Sequence, residues 1–182
     1  QKKIGFKTEQ IGLASADASF RRYFRIQTDL GQSLIVMDAP PEKENNAQFV
    51  NVNEILAKTG VLVPQILDWN QEFGFLLLSD MGKSTLLDCI DKENPYNNLP
   101  YFKQATTDLI KIQLNAQTQT LPVFDDTFIQ RELQLFPQWY LSANKGITLD
   151  ASQQSTLEKS FALISQNNLA SAQVFMHRDY MP

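Results

Sequence analysis

Phe75-Leu76-Leu77-Leu78-Ser79-Asp80-Met81-Gly82 is the stretch at which the chain changes from one pattern to another. Its four leading apolar residues have the length and composition of a buried strand, and Met81-Gly82 closes it as a connector. Working back from it, Val61-Leu62-Val63-Pro64-Gln65-Ile66-Leu67 reads as a partner strand, joined through Asn70-Gln71-Glu72-Phe73-Gly74, a run with hairpin-loop composition. Between residues 48 and 58 apolar side chains recur at Phe49, Val52, Ile55 and Leu56, close to helical spacing, with Gly60 as a C-terminal cap. Ile11-Gly12-Leu13-Ala14, residues 20–26 and Ser33-Leu34-Ile35-Val36-Met37 read as an antiparallel meander. Pro40-Pro41 ends it, because proline cannot donate to a ladder.

Working forward, the period becomes helical. A helix is expected over residues 101–117 with Phe102, Ala105, Leu109 and Ile112 on one side. A second, over 126–140, aligns Ile129, Leu133, Phe136 and Tyr140 and is interrupted by Pro137; a third, over 152–168, carries Leu157, Phe161 and Ile164. A short strand, Gln173-Val174-Phe175-Met176, then delivers His177-Arg178-Asp179. The expected class is α+β: five antiparallel strands with one helix, a connector near residue 80, then helices.

Composition narrows the function classes. With 182 residues, 43% hydrophobic and 20% charged, the chain is globular rather than disordered or low-complexity. Sixteen basic against twenty acidic residues, a net charge of -4, argue against a protein that coats nucleic acid. Cys89 is the only cysteine and cannot form an internal disulfide; with a single histidine it cannot complete a Cys/His zinc site. No metal-ligating residue is nominated, and a reducing cytoplasm is expected. The longest apolar run, Phe75 to Leu78, is far short of the roughly 20 residues that cross a bilayer, and Gln1-Lys2-Lys3 leads into no apolar segment. No membrane and no nucleic-acid partner is expected.

Three features carry candidate chemistry. Three of the five arginines, Arg21, Arg22 and Arg25, lie among Phe20, Tyr23 and Phe24. On a strand, Arg21 and Arg25 share a face with Tyr23, whereas Arg22 lies opposite with Phe20, Phe24 and Ile26. The cluster is either a site for a multi-oxygen anion, through bidentate hydrogen bonds, or a solvated face paired with nearby acids. Basic residues interleaved with aromatics also occur where single-stranded nucleic acid binds, a reading the acidic background disfavours. Residues 15–19, Ser-Ala-Asp-Ala-Ser, form a small-residue turn able to cover phosphates with backbone N–H groups and the Ser19 hydroxyl, although it lacks phosphate-loop glycines. No Walker sequence, G-x-S-x-G or H-E-x-x-H occurs. Lastly, His177-Arg178-Asp179 offers a carboxylate that can take a proton from an attacking hydroxyl, with the histidine packed behind; its plainer reading is a charged loop.

The order of parts, together with residues 18–26 (Ala-Ser-Phe-Arg-Arg-Tyr-Phe-Arg-Ile), Val36-Met37-Asp38-Ala39-Pro40-Pro41-Glu42, Phe75 to Gly82 and His177-Arg178-Asp179-Tyr180, resembles the aminoglycoside-phosphotransferase-like bacterial sugar kinases. The resemblance covers most of the chain. It implies a two-lobed protein-kinase-like fold: residues 1–79 as the nucleotide-binding lobe, and 80–182 as hinge and first part of a helical lobe that is incomplete in this chain. It implies an ATP- and Mg2+-dependent phosphotransferase, cytoplasmic and monomeric. The substrate implied is a small molecule, an amino sugar phosphorylated at its anomeric hydroxyl, N-acetylmuramate or N-acetylglucosamine in peptidoglycan recycling. Aminoglycoside, choline or homoserine kinases share the fold and remain alternatives, as does a non-catalytic kinase-shaped nucleotide-binding protein.

By the same resemblance Asp179 is the catalytic base, flanked by His177 and Arg178. Ser79, Asp80 and Met81 form the hinge that meets the adenine edge. Ser19, Phe20 and Arg21 lie over the phosphates, and Glu54 sits on the helix that supplies the ion-pair glutamate, or is simply a surface acid. Arg178 either favours sugars bearing a lactyl carboxylate or stabilises its loop. Two departures from the kinase pattern stand out. The third strand lacks the phosphate-holding lysine, so an arginine of the 21–25 cluster, steadied by Glu54, is expected to replace it. The asparagine of H-R-D-x-x-x-x-N would fall at position 184, so the Mg2+ ligands are expected beyond Pro182 and residues 1–182 alone are expected to be inactive.

Overall fold

In the computed structural model, which describes residue 5 and residues 11–16 and 19–181, the first half of the chain runs β1 (Gly12–Ala16), β2 (Arg22–Gln27), β3 (Ser33–Asp38), α1 (Asn46–Lys58), β4 (Ile66–Asn70) and β5 (Phe75–Ser79). The strands form one antiparallel sheet in the order β1-β2-β3-β5-β4. Met37 faces Leu76 across β3 and β5, and Tyr23 faces Met37 across β2 and β3. Met37, Ala39, Leu76 and Leu78 are the buried centre; Phe49 and Val50 from α1, with Ile66 and Trp69 from β4, pack against it. Burying one such large side chain contributes roughly 1.5–3 kcal/mol, so the helix is held to the sheet chiefly by this face.

Local chemistry fixes the element ends. Asn45 caps α1 by accepting from the Gln48 N–H at 3.0 Å, and the Asn46 amide donates to the Ala39 carbonyl at 2.7 Å, tying the helix start to the end of β3. At the β4–β5 turn Gly74 has φ +72, and a Cβ there would lie 2.1 Å from the Ala39 oxygen. Only glycine fits this close approach, which lets the Ala39 N–H donate to the Gly74 carbonyl at 2.9 Å.

The sequence expectation of five strands with one helix, α+β in class, holds, with shifted edges. β4 begins at Ile66 rather than Val61, because Pro64 has no N–H for a ladder and its carbonyl instead accepts from the Asn53 amide at 2.8 Å. β2 begins at Arg22, since the Phe20 N–H is drawn to Glu44 instead of to a neighbouring strand. Of the turn expected at 15–19, Ser15 and Ala16 belong to β1, and Asp17 and Ala18 lie outside the described residues.

The second half is helical: α2 (Leu86–Cys89), a 3-10 turn (Pro95–Asn98), α3 (Leu99–Asn115), α4 (Asp126–Leu135), a π-wound segment (Phe136–Asn144) and α5 (Ala151–Leu169). The interruption expected at Pro137 takes a definite form. With no N–H at Pro137 the i to i-4 ladder breaks, and the chain continues in wider π turns that stack the Phe136 and Tyr140 rings at 5.6 Å. Phe102 and Ile164, expected to face inward, are exposed, while Ile112 and Phe161 are buried. Residues 173–176 are not a strand: among the described residues no ladder partner accompanies them, and extended backbone without one is a loop. The chain divides into two compact units, Gln1–Gln117 with Met176–Pro182, and Thr118–Phe175. Among the described residues no helix is long and apolar enough to cross a membrane.

Candidate active-site elements

The segment leaving β5 is tied down by side chains. The Arg25 guanidinium, from β2, donates to Asp80 through Nε (2.6 Å to Oδ2) and Nη2 (2.9 Å to Oδ1), and Nη2 also reaches the Gly82 carbonyl at 2.6 Å. The Ser33 hydroxyl, at the start of β3, donates to the same carboxylate, as does the Gly82 N–H at 3.0 Å. Gly82 has φ +108, a left-handed value that turns its carbonyl back to the arginine. The Asp80 side chain is 9% exposed and that of Arg25 20%. Hydrogen bonding from Arg25, then from Ser33 and the Gly82 N–H, outweighs desolvation and holds the Asp80 carboxyl well below the usual carboxylate range. Ser79 exchanges bonds with Gln65, whose N–H donates to its hydroxyl at 2.8 Å; Met81 is half exposed. The β3–β5 register directs the Asp80 N–H to the Ser33 carbonyl, whereas Met81, beyond the ladder, makes no backbone hydrogen bond among the described residues, which leaves its N–H and C=O groups open.

The other two arginines are also taken up by acids. Arg22 pairs with Asp38 at the end of β3 and lies 5.9 Å from the Phe24 ring centroid, as neighbours on one strand face should. Arg21 sits with Nε 3.0 Å from Glu44 and its guanidinium 5.5 Å from the Phe49 ring centroid. That Nε is not aligned for a hydrogen bond, so the Glu44 contact is an ion pair only. Glu44 also accepts from the Phe20 N–H at 3.0 Å, and Ser19 Oγ accepts from the Arg21 N–H at 3.2 Å. Two backbone donors that the sequence assigned to phosphates are therefore engaged within the protein. The three guanidinium groups end on three different carboxylates, the paired-face alternative read from the sequence. The acid beside Arg21 is Glu44, not Glu54: Glu54 points from α1 into solvent, because an α-helix places it on the face opposite Ile55 and Phe49.

His177, Arg178 and Asp179 lie in a loop fastened by the next residue. The Tyr180 hydroxyl donates to the Ala105 carbonyl of α3 at 2.6 Å, and burial, with the Asp108 charge adding, pushes its phenol above the ordinary value. His177 does not pack behind the loop; it is exposed, with its ring edge-on to Tyr180 at 5.4 Å. Arg178 has φ +72, the one non-glycine residue among those described in this left-handed region, a conformation that costs roughly 1–2 kcal/mol. Asp179 is exposed and makes no hydrogen bond or ion pair with a described residue, so its carboxylate lone pairs are free.

Of the nominated residues, then, Arg25 and Asp80 are brought together from 55 positions apart, and Ser19 meets Arg21. Sequence reasoning missed Ser33, Gly82, Glu44 and Tyr180. Only Gly82 carried a signal, as the glycine that ends the connector. A groove of about 520 Å³ beside the start of α1, lined by Lys43, Asn46, Trp69 and Gln71 among others, includes none of the nominated residues. Among the described residues no group of three or more His, Cys, Asp or Glu side chains could hold a metal ion.

Residues 10–182 match the phosphotransferase enzyme family (APH). The chain is 45% identical over 169 residues to the N-acetylmuramate/N-acetylglucosamine kinase of Pseudomonas aeruginosa, a match covering 93% of this chain and 49% of that protein. It is 43% identical to the Pseudomonas putida kinase of the same name over 93% of this chain and 49% of the relative. To the Neisseria meningitidis kinase of that name it is 31% identical, over 94% of this chain and 51% of the relative. The chain thus spans about half the length of the curated relatives it matches. A family match over nearly all of the chain, joined to a five-stranded antiparallel sheet with one helix and then helices, places it: this chain belongs to the phosphotransferase enzyme family.

Proposed function

We propose that the protein is an ATP-dependent kinase that phosphorylates the anomeric hydroxyl of N-acetylmuramate and N-acetylglucosamine in peptidoglycan recycling, acting as a cytoplasmic monomer. The observation that carries the reading is the 45% identity over 93% of the chain to a kinase named for those two sugars. In this reading residues 1–79 form the nucleotide-binding lobe, and residues 80–182 the hinge and first part of the helical lobe. Asp179 is the base: its carboxylate accepts the proton of the sugar hydroxyl as that oxygen bonds to the γ-phosphorus of ATP and the bond to the β-phosphate oxygen breaks, releasing ADP. A carboxylate that bonds to no described residue supports this role, and the open backbone groups of Met81 support a hinge that meets adenine. Mg2+ supplies charge neutralisation at the phosphates in such reactions. The described residues do not fit a metal site, so none is assigned to it.

A different reading, a kinase-shaped protein that binds nucleotide without transferring phosphate, draws on β3, where Ser33-Leu34-Ile35-Val36-Met37-Asp38 carries no lysine. One assay separates the two. The full-length protein is incubated with ATP and, separately, N-acetylmuramate, N-acetylglucosamine, an aminoglycoside, choline and homoserine. The expected product is an amino-sugar 1-phosphate with stoichiometric ADP. Turnover of another substrate in preference, or ATP binding with no transfer, overturns the proposal.

A further inference from the structure

Arg25, expected at the phosphates, has its guanidinium committed to Asp80 and the Gly82 carbonyl. We propose that Arg25, with Ser33, is a positioning residue for the nucleobase: through Asp80 and Gly82 it sets the course of the chain after Ser79, and so governs purine affinity and selectivity without touching the nucleotide. The inference rests on the reading of Ser79, Asp80 and Met81 as the hinge.

Three observations carry it. First, the anchors come from β3, which pairs with β5, and from β2, the next strand along the sheet: Leu34, next to Ser33, pairs with Ser79 across β3 and β5, and Arg25 pairs with Ile35 across β2 and β3. Displacement of the segment relative to those strands has to stretch the Asp80 bonds. Second, the ties run through side chains, the Gly82 backbone and the Asp80 N–H at the end of the β3–β5 ladder, while the backbone of Met81 makes no hydrogen bond among the described residues. The segment is held in place, yet the Met81 N–H and C=O groups stay available to the edge of a planar base. Third, the geometry is forked. Nε and Nη2 of Arg25 bond separate oxygens of one carboxylate, which fixes orientation as well as distance, and the pair is largely screened from water.

A pair that merely stabilised the fold would leave nucleotide recognition unchanged, and the test uses that difference. In the full-length protein, Arg25→Ala is expected to raise the KM for ATP about tenfold, equivalent to about 1.4 kcal/mol, and to lower kcat by less than about threefold. Arg25→Lys, a point charge that cannot fork, should raise it by about threefold, and Ser33→Ala by about twofold. The preference for ATP over GTP should narrow in the same order, while the KM for the sugar stays within about twofold. Arg25→Lys and Ser33→Ala keep the question open to measurement if Arg25→Ala does not fold. Lowered thermal stability with the wild-type KM for ATP and the wild-type ATP-to-GTP ratio would overturn this inference alone. A wild-type protein that binds no fluorescent ATP analogue and turns over no substrate would overturn the hinge reading together with it.

Discussion

The segment after β5, proposed as the hinge, and the loop that carries Asp179 are built on opposite plans. Around the hinge, one carboxylate is saturated: Arg25 twice, Ser33 and the Gly82 N–H all donate to Asp80. In the loop, the Tyr180 phenol on the Ala105 carbonyl fastens the chain beside a carboxylate that bonds to no described residue. The difference is chemical. A carboxylate whose lone pairs are occupied by donors holds position but has little capacity to accept another proton, whereas one left open can accept it from a substrate. The two plans suit the roles proposed for them, positioning for the one and reaction for the other.

The sheet beneath the hinge is the easiest place to break this arrangement. Gly74→Ala drives a Cβ into the Ala39 carbonyl and imposes a positive φ on alanine, so a loss of about 3 kcal/mol or more in denaturant unfolding is expected. Next comes the contrast between two arginines of one strand. Arg25→Ala strands a little-exposed Asp80 charge and should cost about 2–3 kcal/mol, whereas Arg22→Ala, whose side chain is 61% exposed, should cost less than about 1 kcal/mol. Equal losses would remove the distinction drawn for the hinge. On the loop side, Tyr180→Phe deletes one hydrogen bond at a cost of about 1 kcal/mol in stability. Because Tyr180 adjoins Asp179, kcat should change more than the KM for ATP does.

Acid titration gives the smallest effect. The Asp80 carboxyl is depressed in the folded protein, so its contribution is present above the unfolded aspartate value and is lost as pH falls through the folded one. The stability gap between wild type and Asp80→Asn should therefore be steady above pH about 4 and shrink below it. A gap that stays constant into strong acid would contradict the hydrogen-bonded ionised form.

How legible was all this in the sequence? Strand and helix identity followed from alternation and period, because apolar side chains such as Met37, Leu76 and Phe49 decide both the element and its buried face. Edges were lost where a single polar group or proline decides them, as at Pro64 and Glu44. Residues 173–176 misled because apolar, β-prone composition reports burial, which Phe175 has, and not the presence of a ladder partner. In the candidate site, the charged residues were visible but their partners were not. Arg25 and Asp80 were both singled out, for separate tasks, since a contact across 55 residues is made by strand register and leaves no local trace. Tyr180 lay in plain view beside Asp179, yet a tyrosine's reach to a helix carbonyl depends on where α3 passes.

In the proposed reaction Asp179, which bonds to no described residue while Asp80 is saturated, takes the substrate proton. The most direct measurement is the kcat of Asp179→Asn in the full-length protein with N-acetylmuramate and ATP, alongside its affinity for ATP. A fall in kcat of about 100- to 10,000-fold with ATP affinity within about twofold is predicted. Turnover within about fivefold of wild type would contradict it.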